Sequence, residues 1–144
     1  TGSGQIIGNV NSNGTVAPGS STGTLTIDGD LTHSGELAFE LAGLTQGTEY
    51  DLLDINGTAN LSGELSISLF DEFDGRPFLQ TFEILTADTL IDSGLTLAPS
   101  AAGLFTMQVD ETAGTIVLTS QIPEPATAVV LALAGLALLG RRRR

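Results

Sequence analysis

The chain has no cysteine, no tryptophan and no lysine, and only one histidine, one tyrosine and one methionine among its 144 residues. Without cysteine there are no disulfides and no thiol chemistry, although secretion stays open. With no tryptophan and only Tyr50, the chain has few platforms on which a sugar ring could stack, which argues against a carbohydrate-active cleft. Positive charge is scarce: five Arg stand against 17 acidic residues, for a net of -12. Four of those arginines are the last four residues, and the fifth is Arg76. Residues 1–122 therefore carry sixteen acids and one Arg, a net of -15, while the tail from Pro123 carries +3. A body of that charge repels phosphates, and nucleic acid is excluded as a partner.

The single imidazole limits catalysis further. His33 lies between Thr32 and Ser34 and near Asp30. A Ser-His-Asp catalyst needs these groups to converge beside an oxyanion site, and no nucleophile elbow accompanies them. The stretch Thr32-His33-Ser34-Gly35 reads instead as an exposed turn. No Gly-rich phosphate loop is present, and no cofactor is expected. The acidic stretch Asp71, Glu72, Asp74, Gly75 supplies a Ca²⁺ candidate in Asp71 and Asp74, and Asp28 and Asp30 about Gly29 supply a second. Neither fits an EF-hand loop or the nonapeptide of calcium-binding β-rolls, so both read as solvated acidic turns. No catalytic residue is assigned, and the chain is expected not to be an enzyme.

Short runs of alternating apolar residues fill the body. They are Leu25/Ile27, Leu37/Phe39/Leu41, Leu65/Ile67/Leu69, Leu95/Leu97, Phe105/Met107/Val109 and Ile116/Leu118. Turn signals fall at Pro18-Gly19, Asp28-Gly29, Asn56-Gly57, Asp74-Gly75 and Ala113-Gly114. This predicts an all-β body over residues 1–121. A Gly-x-Leu-x-apolar pattern recurs from Gly23, Gly35 and Gly63 at uneven spacing, which suits either a β-solenoid or a β-sandwich. The six Phe, residues 39, 70, 73, 78, 82 and 105, are read as packing residues. The opening at Thr1, inside a Gly/Ser/Thr-rich pattern, reads as a mature or truncated piece of a longer chain.

The tail, residues 122–144, is built differently. Ile122-Pro123-Glu124-Pro125 precede an uncharged run, 126–140, of five Leu, five Ala, two Val, two Gly and one Thr, and then come Arg141, Arg142, Arg143 and Arg144. Ala and Leu favour helix. Fifteen residues make roughly 22 Å of helix, short of a hydrocarbon core of about 30 Å. Snorkelling arginines and local thinning narrow that gap, leaving a marginal membrane segment. A buried core helix would show an amphipathic stripe, whereas this run is apolar all round. Clustered arginines stay cytoplasmic, so the acidic body is expected outside the cytoplasm. The two prolines stiffen the approach into an extended strand, a shape that a protease-like cleft binds.

Pro123-Glu124-Pro125, the short apolar helix and the terminal arginines together resemble the PEP-CTERM sorting signal. The resemblance implies export, recognition by an exosortase at the bacterial inner membrane and cleavage near the Pro-Glu-Pro motif, followed by a place on the cell surface or outside the cell. The family occurs in bacteria that make exopolysaccharide, which makes that polymer a further expected partner beside exosortase and membrane. In the body, Gly14-Thr15-Val16-Ala17-Pro18-Gly19-Ser20, Gly23 to Leu31 and Tyr50 to Gly63 are similar to repeats of autotransporter passenger domains. That resemblance implies a right-handed parallel β-helix, here followed by one transmembrane helix instead of an outer-membrane barrel. Two other functions stay open from the sequence: a stably anchored single-pass membrane protein, and a glycan-binding or adhesin module.

Overall fold

A computed structural model describes residues 2–76 and 78–121. The described chain is mostly β. The strands β1 (Gly4–Ile7), β2 (Val10–Ser12) and β3 (Thr15–Val16) come first, and β4 (Thr24–Asp28), β5 (Leu31–His33) and β6 (Glu36–Leu41) follow. Two long strands, β7 (Leu52–Leu69) and β8 (Thr81–Leu97), come next. A four-residue helix, α1 (Pro99–Ala102), then leads to β9 (Phe105–Asp110) and β10 (Thr115–Ser120).

The first eight strands pair in parallel. β1 lies on β4, β2 on β5 and β3 on β6. β4, β5 and β6 in turn all lie on β7, which pairs in parallel with β8. The three short strands of the first pass thus stack on the three of the second, and those three stack on the single long strand β7. β8 then accepts β10 in antiparallel pairing, and β10 pairs antiparallel with β9. This hairpin ends the parallel ladder.

Register explains the core. Leu25 sits over Leu53, which sits over Leu85. Leu31 sits over Ala59 and then Leu90, and Leu37 over Leu65 and then Leu97. Each is every second residue of its strand, so the apolar set of each pass falls on the inner face. Leu31, Leu37, Leu53, Leu65, Leu85 and Leu118 have no exposed surface.

The apolar runs expected as strands all lie in strands, but the turn signals do not all mark turns. Asn56-Gly57 lies inside β7, and β7 continues past Gly63. At these two places the ladder with β8 shifts register, between Ile55 and Thr58 and between Leu61 and Gly63. Bends of one long strand, rather than chain reversals, thus account for those glycines. The helix α1 has no periodic sequence signal; Pro99 at its first turn starts it.

Several Phe depart from expectation. Phe39, Phe82 and Phe105 are buried, and Phe73 packs on the core. Phe70 and Phe78 are instead 46% and 43% exposed. Both sit in the connection between β7 and β8, outside the alternation that turns side chains inward.

Candidate functional site

His33 is not in an exposed turn. It ends β5, with the buried pattern of Leu31 two residues before it, and is 1% exposed. Neither ring nitrogen has a hydrogen-bond partner. Desolvation pulls its pKa below the usual imidazole value, against the nearby backbone of Glu36, Gly35 and Ser12, which favours the charged form. The only imidazole is thus sealed in the core and not poised for proton transfer.

Asp51 is a buried group that the sequence reading did not single out. It is fully buried, and its two carboxylate oxygens accept the backbone N–H of Gly23 at 2.8 Å and of Glu40 at 2.7 Å. Burial pushes its pKa up to about 6, opposed by those two hydrogen bonds and reinforced by the charge of Glu40. Its neighbour Tyr50 stacks edge-on against Phe82 at 5.3 Å between ring centroids, and burial raises its phenol pKa. Tyr50 is a core residue, not an exposed stacking platform.

Asp28, Asp30 and Asp74, three of the aspartates read as turns, are partnered by the fold. Asp28 accepts the side-chain amides of Gln5 and Asn56, one from the pass on each side. Asp30 accepts the Thr58 N–H at 2.8 Å. Asp74 pairs with Arg76 at 3.2 Å and accepts its backbone N–H. Asp71 and Glu72 hold positive φ angles of 54° and 61° in the same connection. Among the described residues, no group of three or more acidic or histidine side chains is placed to hold a metal ion.

One shallow cleft of about 170 Å³ is lined by Ser20, Ser21, Thr22, Glu40, Phe70 and Asp71. It joins hydroxyls to two carboxylates, and His33 is not among its lining residues. No hydrogen bond joins a hydroxyl of Ser20, Ser21 or Thr22 to either carboxylate; the Thr22 hydroxyl donates to the Thr48 carbonyl at 2.6 Å instead.

The exit of the chain from the body is well defined. Leu79 N–H donates to the Ser120 carbonyl at 3.0 Å, and Ser120 N–H donates to that of Gln80 at 2.8 Å. On the other side, Gln121 N–H donates to the Leu104 carbonyl at 2.8 Å. The final described residues are therefore held between the approach to β8 and the approach to β9. Beyond Gln121 come Pro123, Glu124, Pro125 and Arg141 to Arg144, all outside the described residues, as is the apolar run 126–140 expected to span the membrane.

Residues 121–144 match the PEP-CTERM protein-sorting motif. No curated protein and no solved structure matches the chain. The PEP-CTERM motif implies export, a membrane-associated sorting step and sorting by an exosortase to the cell surface. It begins at Gln121, the residue clamped to Leu104, so body and sorting motif meet without a spacer. Among the described residues no helix is long and apolar enough to cross a membrane.

Proposed function

We propose that this chain is a non-catalytic, exported surface or matrix protein, with a body that is a segment of a right-handed β-solenoid and a tail that exosortase removes. The sorting motif at residues 121–144 carries the reading. Charge supports the topology: a body of -15 followed by an uncharged run and four terminal arginines favours the body outside and the arginines in the cytoplasm. The parallel ladders from β1 through β4 and β7 to β8 support the solenoid reading. The single histidine, buried in the core, favours a structural role. An acidic, hydroxyl-rich body that reaches the surface suits an exopolysaccharide matrix.

Deleting residues 122–144 tests the reading. The truncated protein should move from the membrane and surface fractions to the periplasm or medium, and an unchanged distribution overturns it. Mass spectrometry of the exported protein then separates processing from permanent anchoring. A C-terminus near Pro125 supports exosortase cleavage, and an intact Arg144 means a stable single-pass anchor.

A further inference from the structure

The body presents an apolar rim where the chain leaves it. Leu79 is 58% exposed, Phe78 43% and Leu104 37%. Backbone hydrogen bonds place Leu79 against Ser120 and Leu104 against Gln121, on either side of the exit. Leu79 holds a φ of 62°, a conformation that leucine rarely adopts, while its side chain faces solvent. An apolar side chain held outward at a backbone cost makes poor sense on a face that meets only water.

Charge singles out the same place. Residues 77–82, 93–109 and 112–123 carry no charge, and these three stretches converge at the exit. The rest of the body carries sixteen acids. Asp71, Glu72 and Asp74 come earlier in the connection to β8, and Arg76 is paired with Asp74. The exit is thus a face that can approach lipid headgroups without like-charge repulsion.

Tether length brings the two together. Only residues 122–125 separate Gln121 from the apolar run that begins at Ala126. At about 3.3–3.6 Å per residue step, the five steps from Gln121 to Ala126 reach at most roughly 18 Å. If the run lies in the membrane, the rim cannot stand far from its surface.

We propose that the rim of Phe78, Leu79 and Leu104 rests on the lipid bilayer while the tail is in place, docking the body beside its own cleavage site. This rests on the reading of residues 126–140 as a membrane segment. The bilayer is the occupant because the short tether brings its surface to the rim, and because an apolar, uncharged rim matches the boundary between headgroups and acyl chains.

Because the chain has no cysteine, single labels can be placed without background. The full chain is reconstituted into phosphatidylethanolamine–phosphatidylglycerol vesicles with an environment-sensitive fluorophore on Leu79→Cys, Leu104→Cys, Ala134→Cys or Ile7→Cys. Ile7 is 83% exposed but lies on β1, three strands from β8 in the ladder. Brominated lipids should quench the labels at 79 and 104 by at least twofold, quench 134 more strongly and leave 7 unchanged. Quenching at 134 with none at 79 and 104 overturns the docking and leaves the membrane tail standing. No quenching at 134 overturns the tail reading, and the docking with it. Protection of 79 and 104 only in vesicles that also contain exosortase would make the rim an enzyme contact, which equally overturns the proposal.

Discussion

The carboxylate of Asp51 holds the backbone N–H of Gly23, 28 residues earlier in the sequence, at 2.8 Å. Its second oxygen holds the N–H of Glu40 at 2.7 Å. One buried side chain thus ties the start of β7 to the start of β4 and to β6. A buried N–H left without a partner costs about 1–3 kcal/mol, which makes Asp51 a staple between successive passes.

Asp51 also gives stability a defined pH dependence. Its folded pKa of about 6 lies above the ordinary 3.8. The folded state therefore binds the extra proton between those values, and stability from this group rises as pH falls through 6 towards 3.8. The cost of the buried charge is fully present above about pH 6. Asp51→Asn should remove that part of the slope, and Asp51→Ala, which leaves both N–H groups without an acceptor, should lower stability by ~1–3 kcal/mol. Urea unfolding at pH 4.5, 5.5 and 7, followed by the fluorescence of the only tyrosine, measures it. An identical pH slope in the asparagine variant would refute the assignment.

His33 should act with the opposite sign. Its folded pKa lies below 6.5, so the unfolded state binds the proton first as pH falls. The protein then loses stability from about pH 6.5 downward, because an unpartnered buried imidazole must be charged or exposed. His33→Leu matches the inward Leu61 beside it in the ladder and removes two unsatisfied nitrogens. The variant should be more stable by roughly 1 kcal/mol at pH 7.5, and its advantage should widen at pH 5. A constant difference across that range would count against a titrating core histidine.

What the sequence made legible was whatever it concentrated in a few adjacent residues. The sorting tail is contiguous, so its chemistry reads directly from Pro123 to Arg144. The alternations at Leu25/Ile27 and Leu37/Phe39/Leu41 became β4 and β6, because period-two patterns carry their own geometry. Long-range partners were not legible. Nothing beside Asp51 reveals that Gly23 and Glu40 will point their N–H groups at it. His33 looked like a turn because Ser34 and Gly35 follow it, whereas alternation with Leu31 decided its side. Asn56-Gly57 reads locally as a reversal, but its glycine answers to Gly29 in the pass before.

The aromatic cluster at the antiparallel end gives a packing prediction. Phe82 is fully buried, with ring centroids 5.3 Å from Tyr50, 6.0 Å from Phe105 and 6.1 Å from Phe73, each in an edge-on arrangement. It joins the first residues of β8 to β9 and to the segment before β7. Phe82→Ala should cost about 3–5 kcal/mol, and Phe82→Leu about a third of that. Because Tyr50 touches the ring, its emission should change in the folded variant before any unfolding. A cost below 1 kcal/mol for the alanine variant would show that the cluster adds little to the end of the ladder.

The glycines at the bends give the sharpest contrast. Gly14, Gly35 and Gly63 occupy equivalent corners of successive passes. A Cβ on Gly35 would lie 2.0 Å from the Gly14 carbonyl oxygen, and one on Gly63 would lie 2.1 Å from the Gly35 carbonyl oxygen. Gly63 also has a φ of +90°. At Gly14, which has no pass above it among the described residues, a Cβ meets nothing within 4 Å. Gly35→Ala and Gly63→Ala should therefore each destabilise by roughly 2–4 kcal/mol, since backbone atoms of the neighbouring pass must move. Gly14→Ala should stay within about 0.5 kcal/mol of the parent. Urea midpoints of the three variants, measured side by side, decide it. Equal tolerance at all three corners would mean that the passes are not packed backbone against backbone at these bends.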